Sequence, residues 1–539
     1  MESLYRLEAV VLLLGAVLVL MAVARRILIP YPIFLVLGGL ILGFVPGVPP
    51  VRLDPEIVFL IFLPPILWAA AYFTSLRDFQ ANLRPITLLA VGLVLATTAA
   101  VAAVAHAIVP GLGWPAAFVL GAIVSPPDAV AATAIARRLR IPHRVVTVLE
   151  GESLVNDAAA LVLYRAAVAA TVTGTFAPGE TLWQFVLAAA GGVAVGLTVG
   201  FVTREALHHA DDSLVETAIT LLAPYAAWIV AERVHASAVL ACVAGGLYVR
   251  RGFSTAVPPA TRIRARAVWD LLVFVLNGVI FVLIGLQLRA IRDAGLIERP
   301  ARLVMYGAVI SAVAIGIRLV WVPLATAIPR LVSAALRRRD PFPPWSSVFL
   351  LAWTGMRGIV SLAAALALPL TTARGAPFPS RDEIVVLTFE VILATLVLQG
   401  LTLSPLIRRL RLGDDTTLEL EEAHAREEAA RAALARLDDL AQSPEAPRED
   451  IDRMHTLYTQ RVRRASSIDP GADIESARAQ AARRRLRHET LSAERRALIA
   501  LRDQGVISDE VLHRLEQELD IEAMRIGLGD VRLPGHSHS

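Results

Sequence analysis

The chain has 539 residues, of which 56% are hydrophobic and 19% charged, and its formal net charge at pH 7 is +4. The apolar residues gather in blocks of roughly twenty, long enough to cross a bilayer as helices, which excludes a soluble globular protein. The single cysteine, Cys242, excludes an internal disulfide and a cysteine-ligated metal cluster. The composition therefore predicts a polytopic membrane protein.

The apolar blocks predict about thirteen membrane-spanning helices. The first is followed by a basic pair rather than by a small-residue cleavage site, so we expect it to be retained rather than removed as a signal peptide. The ninth is short for a span. The predicted spans are residues 7–25, 31–47, 54–73, 84–110, 114–136, 144–172, 181–204, 213–232, 236–249, 266–288, 303–328, 345–369 and 384–407.

The placement of arginines predicts the side of the membrane on which each loop lies. Loops after odd-numbered spans are the richer in arginine, as in ARRLRIPHR at 136–144 and LRRRD at 336–340. Because arginine-rich loops stay on the cytoplasmic side, we expect the N-terminus outside and the C-terminus in the cytoplasm. The expected location is the inner (plasma) membrane.

The composition changes near residue 412, where segments such as EEAHAREEAARAALARLDDLAQ are charged, alanine-rich and helical in period. We therefore expect a transmembrane domain over residues 1–411 and a helical cytoplasmic region over residues 412–539. The last residues, GHSHS, are expected to form a disordered end, with metal binding by His536 and His538 as the alternative.

Two spans carry interruptions. In the fifth, SPPDA at 125–129 contains Pro126 and Pro127, whose missing amide hydrogens leave helix carbonyls that are tolerated only within protein or beside a wet cavity. Asp128 follows, either as the N-cap of a second half-helix or as a direct ion contact. The twelfth span carries TGMRG at 354–358. Paired interrupted helices indicate a transporter with inverted repeats.

Two arginines lie within predicted spans, Arg318 in the eleventh and Arg357 in the twelfth. A buried arginine needs a partner. A structural role is favoured over contact with the substrate, because a fixed positive charge would repel a cation. The candidate partners are Asp128, Glu152, Asp157 and Glu390.

The sixth span contains GESLVNDAAALVLY at 151–164. Glu152 and Asn156 share one helix face, while Ser153 and Asp157 share the adjacent face. Such oxygen donors suit a small hard cation. If an arginine neutralises Glu152, Asp157 remains free to hold either a proton or a cation, as intramembrane ionisable residues commonly do. The alternative is that Asp157 is a hydrogen-bonded residue that holds helices together.

GESLVNDAAALVLY, SPPDAVAATAI and TGMRGIVSLAAALALP together resemble the monovalent cation:proton antiporter-1 family, as do FLPPILWAAAYF at 62–73 and LVLQGLTLSPLIRRL at 396–410. The resemblance covers roughly residues 7–410. It implies an all-α fold of thirteen helices, in which inverted repeats flank a linking helix and two interrupted helices cross. It also implies a homodimer. The core would be spans four to six and eleven to thirteen, moving like an elevator against a dimerisation domain of spans one to three and eight to ten.

By this resemblance, Asp157 is the carboxylate that binds the ion and the proton. Asn156 is its partner in an Asn-Asp pattern similar to that of the electroneutral branch of the family, whereas electrogenic relatives tend to carry two adjacent aspartates. Ser153 and Glu152 match positions that help to form the ion site.

The resemblance also places Asp128 at the helix crossing and makes Arg318 and Arg357 buried structural charges. Many members have threonine where this chain has Pro127 and proline where it has Ala129, so contacts at the crossing would rely more on carbonyl oxygens. The implied backbone at the crossing is Ser125, Pro126, Pro127, Thr354 and Gly355.

The leading hypothesis is electroneutral exchange of sodium or lithium for protons, with no cofactor and no nucleic-acid partner. A potassium/proton antiporter is the alternative that the same residues allow. A cation channel, or a membrane sensor that signals through the C-terminal helices, is the alternative from another class. A membrane enzyme is disfavoured, since the sequence has no evident nucleophile–base pair, phosphate loop or metal-ligand cluster.

Overall fold

The computed structural model describes residues 2–26, 30–45, 55–139, 141–174, 178–293, 300–410, 412, 417–442, 447–466, 474–504 and 506–525. These residues are almost entirely helical, as the composition predicts, and the pairing between Thr371 and Pro377 is an isolated bridge outside any strand. The chain divides into two compact units, residues 1–415 and residues 416–539.

The described residues of the first unit form seventeen helices, α1 to α17. They are α1 (Glu2–Arg26), α2 (Tyr31–Gly43), α3 (Pro55–Phe73), α4 (Leu76–Ala81), α5 (Leu83–Ile108), α6 (Trp114–Val124), α7 (Ala129–Arg138), α8 (His143–Thr173), α9 (Pro178–His209), α10 (Ser213–Arg233), α11 (Ala238–Ala256), α12 (Pro259–Asp293), α13 (Pro300–Val332), α14 (Ala334–Arg339), α15 (Trp345–Trp353), α16 (Ile359–Leu366) and α17 (Arg381–Arg409).

Every predicted span overlaps one of these helices or an interrupted pair of them. Among the described residues, nine helices are long and apolar enough to cross a membrane by length and composition, and α2 is a shorter apolar helix. The chain is thus a multi-span membrane protein, while thirteen crossings remain a prediction.

Both interruptions are found where the prolines and glycines predict them. α6 ends at Val124 and α7 begins at Ala129, with Asp128 as the N-cap. α15 ends at Trp353 and α16 begins at Ile359. The fifth and twelfth predicted spans therefore each fold as two half-helices separated by a non-helical segment, which brings backbone polar groups into the protein interior.

The sequence did not predict two short helices, α4 and α14, because each has only six residues and hydropathy windows average over longer segments. Both begin with a serine cap. The Ser75 hydroxyl accepts a hydrogen bond from the Asp78 amide at 3.3 Å, and Ser333 accepts one from Leu336 at 3.2 Å. Such caps satisfy amide groups that the first turn of a helix leaves unpaired.

Asp340 joins three helices where they leave the predicted membrane region. Its carboxylate accepts from Arg84 of α5 at 2.5 Å, Arg144 of α8 at 2.9 Å and Arg330 of α13 at 2.7 Å. Burial acts to raise the pKa of the Asp340 carboxyl, but these arginines outweigh it and hold that pKa below its ordinary value. We call these four residues the Asp340 cluster.

Helices α2 and α12 pack with their backbones in direct approach. A Cβ atom added at Gly39 would lie 2.3 Å from the Val282 carbonyl oxygen, and one added at Gly285 would lie 2.2 Å from that of Val36. Small residues allow such close packing between helices in a membrane, where van der Waals contact takes the place of the hydrophobic effect.

The second unit contains helices α18 (Thr417–Ala441), α19 (Arg448–Ser466), α20 (Ile474–Asp503) and α21 (Asp509–Arg525). The Ser466 hydroxyl of α19 donates to Glu427 of α18 at 2.9 Å, and buried Leu491 and Ala523 join α20 to α21. The unit is helical, as its alanine-rich, charged sequence predicts. His536 and His538 lie outside the described residues.

Candidate ion-binding site

The site is built around the middle of α8, where a buried ion pair fixes one of the two carboxylates. Arg318 of α13 donates to both oxygens of Glu152, from Nη1 at 2.5 Å and from Nη2 at 2.8 Å. Both side chains are 1% exposed. Of the four candidate partners for Arg318, the structure therefore selects Glu152, and the charge of this carboxylate is neutralised.

Arg318 also donates to the Leu351 carbonyl, from Nε at 3.3 Å and from Nη2 at 3.2 Å. This carbonyl lies in the last turn of α15, which stops at Trp353 and leaves its final carbonyls without helical partners. Arg318 thus joins the sixth span to the interruption of the twelfth.

Arg357 differs from the expectation of a carboxylate partner. Among the described residues it has no ion pair, and its guanidinium donates to carbonyl groups instead. Nε donates to Val124 at 2.9 Å, Nη1 donates to Gly355, and Nη2 lies 3.5 Å from the Ala314 carbonyl. Because Val124 ends α6, the guanidinium stabilises the negative end of that half-helix dipole.

Asp128 lies where the two interruptions meet. Its Oδ1 accepts from the Val130 amide at 2.8 Å, which caps α7, and its own amide donates to the Met356 carbonyl at 2.6 Å. A Cβ atom added at Gly358 would lie 2.0 Å from Asp128 Oδ2. Asp128 is therefore an N-cap, one of the two roles that the sequence leaves open. Position 358 in the second interruption must be a glycine, because a side chain there would collide with the Asp128 carboxylate.

Asn156 links α8 to the first interruption. Its Nδ2 donates to the Pro127 carbonyl at 2.8 Å, and the side chain is fully buried. Its Oδ1 is buried and has no hydrogen-bond partner in the described part of the chain. The proline carbonyl thus takes the place of a side-chain contact at this crossing.

The remaining backbone positions at the crossing are held by local bonds. Ser125 Oγ donates to the Ala122 carbonyl at 3.0 Å, and Thr354 Oγ1 donates to Leu351 at 3.0 Å. Gly355 packs against Arg318, since a Cβ there would lie 2.6 Å from its Cδ. Pro126 is buried and lines a cavity.

That cavity, here called the Asp157 cavity, has a volume of about 490 Å³. Its lining includes Asp128, Ser153 and Asp157, together with residues of α2, α3 and α12, among them Asn277. Asp157 is 8% exposed. Across the described residues its carboxylate makes no hydrogen bond or ion pair, in contrast to Glu152.

A second cavity of about 1430 Å³ begins one residue further along α8, and we call it the opposite cavity. Its lining includes Ala158, Tyr164 and Arg165 of α8, and Trp228 and Glu232 of α10. Arg165 pairs with Glu232 across it at 3.1 Å. Asp157 therefore lies at the boundary between two cavities.

Glu390, the fourth candidate partner, does not pair with either arginine. Its Oε2 is buried without a partner among the described residues, and it lies against Gly307 of α13. No group of three or more histidine, cysteine, aspartate or glutamate side chains is arranged to hold a metal ion in that same part of the chain. The donors near Asp157 are carboxylate, hydroxyl and carbonyl oxygens, which suit hard cations.

Sequence reasoning missed three features of the site. The carbonyls of Val124 and Leu351 hold the arginines, and Asn277 lines the same cavity as Asp157. Backbone acceptors carry no sequence signal. Asn277 did have a sequence signal, because a polar residue in the middle of a predicted span is expected to have a function.

Comparison with known proteins agrees with this architecture. The family model described as sodium/hydrogen exchanger, transmembrane, matches residues 12–409. The chain is 35% identical to an uncharacterized Na(+)/H(+) exchanger of Mycobacterium tuberculosis, over 97% of this chain and 96% of the relative. It is 34% identical to a sodium, potassium, lithium and rubidium/H(+) antiporter of Bacillus pumilus, over 76% of this chain and 62% of that protein.

The fold is similar to that of the sodium proton antiporter MjNhaP1 from Methanocaldococcus jannaschii, with a TM-score of 0.61 and 20% sequence identity. The match covers 77% of this chain and all of that one. The extent of the family match and the identity to the mycobacterial relative decide the assignment. The chain belongs to the transmembrane sodium/hydrogen exchanger family.

Proposed function

We propose that this protein exchanges sodium or lithium for protons across the membrane, and that Asp157 carries either cargo in turn. The observation that supports this assignment is the contrast between two carboxylates on α8. Glu152 is neutralised by Arg318, whereas Asp157 is unpaired within the described residues and lines a cavity. A carboxylate without a fixed partner is available to a proton or to a cation, but not to both at once.

Charge counting favours one-for-one exchange. Glu152 and Arg318 cancel, and Asn156 is neutral, so Asp157 is the carboxylate of this α8 motif that is free to titrate. If it carries one proton in one direction and one monovalent cation in the other, the loaded site has the same charge both ways. Transport would then be electroneutral, as the Asn-Asp pattern suggests.

The two cavities support alternating access to this carboxylate. Along α8, Glu150, Ser153, Leu154 and Asp157 line one cavity, and residues from Ala158 to Thr173 contribute to the lining of the other. The Asp157 cavity includes Thr133, Glu150 and Arg266, which lie near loops that follow odd-numbered spans. With the C-terminus in the cytoplasm, as arginine placement predicts, this cavity would open inward.

The larger assembly is also proposed. We infer a plasma-membrane homodimer, in which residues 1–411 form the transporter and residues 412–539 a cytoplasmic region. Spans one to three and eight to ten would form the dimerisation domain. Helices α2, α3 and α12, which line the Asp157 cavity, belong to this group, so movement of the core would change the surroundings of Asp157.

The direct test is Asp157→Asn in everted membrane vesicles, with sodium-induced proton movement followed by a pH-sensitive dye. We expect exchange to be lost while the thermal stability of the purified protein is retained. Glu390→Gln is the matched control, since it neutralises another intramembrane carboxylate that does not line the Asp157 cavity. Normal exchange by folded Asp157→Asn would overturn the assignment.

Potassium/proton exchange is the second candidate, favoured by the Bacillus pumilus relative, whose name includes potassium and rubidium. The same oxygen donors could bind a larger cation if the cavity accommodates it. Apparent affinities for lithium, sodium, potassium and rubidium, measured in one vesicle preparation, separate the two. A higher apparent affinity for potassium than for sodium would identify potassium as the substrate.

A further inference from the structure

Asn277 places a polar amide near the midpoint of α12, a helix that lines the Asp157 cavity together with α8. The side chain is 7% exposed and lines the Asp157 cavity together with Asp128, Ser153 and Asp157. It is thus a buried polar group that shares this cavity with the proposed ion-binding carboxylate.

The amide of Asn277 is unpartnered. Within the described residues it makes no hydrogen bond, whereas Gln287, a second buried amide of the same helix, donates to its own helix at the Leu283 carbonyl at 3.4 Å. Asn277 therefore has hydrogen-bonding capacity that no described residue uses. Because the cavity lies in front of it, the missing partner of Asn277 is expected to be something that the cavity admits.

Building on the proposed exchange function, we propose that Asn277 is a specificity-determining residue. Its Oδ1 supplies an oxygen ligand to the monovalent cation when the Asp157 cavity is open. A cation that approaches a buried carboxylate must shed water, and protein oxygens replace that water. A neutral amide serves this purpose without adding a second carboxylate that would bind protons.

The position of Asn277 predicts that it contributes to cation binding from one side of the membrane only. By resemblance α8 belongs to the moving core, and α12, the tenth predicted span, belongs to the dimerisation domain. Movement of the core would separate Asp157 from Asn277, so the cation would lose one ligand before release on the other side. The amide therefore contributes to cation binding from the face of the Asp157 cavity and not from the opposite face.

The test compares Asn277→Leu with Gln287→Leu, which makes the same substitution in the same helix away from the cavity. Sodium chloride is titrated on each face in turn, using everted and right-side-out vesicles. Losing one ligand worth about 1.4 kcal/mol raises KM about tenfold, so we expect this rise for Asn277→Leu on the cavity face. The KM measured on the opposite face should match that of the wild type. The maximal rate should match that of the wild type on both faces. Gln287→Leu should leave both values of KM unchanged.

Rescue separates a ligand from a packing role. Asn277→Ser keeps a neutral oxygen and should largely restore the sodium KM on the cavity face. An equal rise in KM on both faces, or a lower rate with wild-type KM and a lower melting temperature, would overturn the inference. If Asn277→Leu does not fold, Asn277→Ala removes the oxygen with a smaller side chain and should give the same rise in KM. Exchange that survives in Asp157→Asn refutes the proposed function; a wild-type KM in Asn277→Leu, with Asp157→Asn inactive, refutes this inference alone.

Discussion

The buried pair between Glu152 and Arg318 gives a prediction whose size follows from its geometry. Both side chains are 1% exposed and joined by two hydrogen bonds of 2.5 and 2.8 Å. Replacing Arg318 by methionine leaves Glu152 buried and uncompensated, and removing one partner of such a pair costs about 3–5 kcal/mol. Glu152→Leu should cost a similar amount, because it strands the guanidinium.

The double variant Glu152→Leu/Arg318→Met should be far more stable than the sum of the two losses suggests. Replacing both charges by apolar side chains removes the unpaired charge, and such replacements are often neutral or stabilising. The Leu351 carbonyl still loses its donor, which costs roughly 1–3 kcal/mol. We therefore expect a coupling energy of several kcal/mol, on the order of the cost of one single variant.

Equilibrium unfolding of the purified protein in mixed detergent, followed by tryptophan fluorescence, measures this cycle. Arg165→Gln is the control, because its pair with Glu232 at 3.1 Å is 58% and 44% exposed. Exposed pairs contribute less than about 1 kcal/mol, so the control should unfold nearly as the wild type does. Additivity of the two single variants within about 0.5 kcal/mol would refute the reasoning.

Three further predictions concern the helix crossing, the charge of the site and the Asp340 cluster. Gly358→Ala should reduce exchange and stability, because its Cβ would lie 2.0 Å from Asp128 Oδ2; Gly316→Ala, with nothing within 4 Å, should be tolerated in both activity and melting assays. Asn156→Asp adds a second titratable carboxylate beside Asp157, and exchange by this variant in proteoliposomes should respond to a potassium-diffusion potential. No voltage response would contradict the charge count. The Asp340 carboxyl has a lowered pKa in the folded protein, so its stabilisation is present at neutral pH and is lost as pH falls through that lowered pKa. Asp340→Asn should therefore lower the melting temperature at neutral pH and flatten its acid dependence, and an unchanged acid profile would contradict the role of the Asp340 cluster.

The interruptions were predictable because proline and glycine act locally. Pro126 and Pro127 cannot donate to a helix, and the structure stops α6 just before them. The apolar spans were predictable because most of them are long enough to cross the bilayer core as helices, the short ninth span excepted. The short helices α4 and α14 carry no such signal, because six residues do not alter an averaged hydropathy.

Pairing in the site depends on tertiary geometry, which the sequence does not contain. Four carboxylates could have neutralised Arg318, and the choice of Glu152 depends on how α8 and α13 pack. Arg357 donates to backbone carbonyl oxygens. Because every residue has a backbone carbonyl, the sequence does not indicate which residues bind Arg357. Asn156 was recognised by its position beside Asp157, but its bond to the Pro127 carbonyl required the structure.

The central claim is that protons and cations compete for the single carboxylate of Asp157. The measurement is the sodium dependence of exchange by the wild type at a series of pH values on the face of the Asp157 cavity. Competition predicts that the maximal rate stays constant, while the apparent KM for sodium rises up to about tenfold for each unit that pH falls in the protonated range, as for one exchangeable proton. An apparent KM that does not depend on pH, with changes confined to the maximal rate, would contradict a shared site.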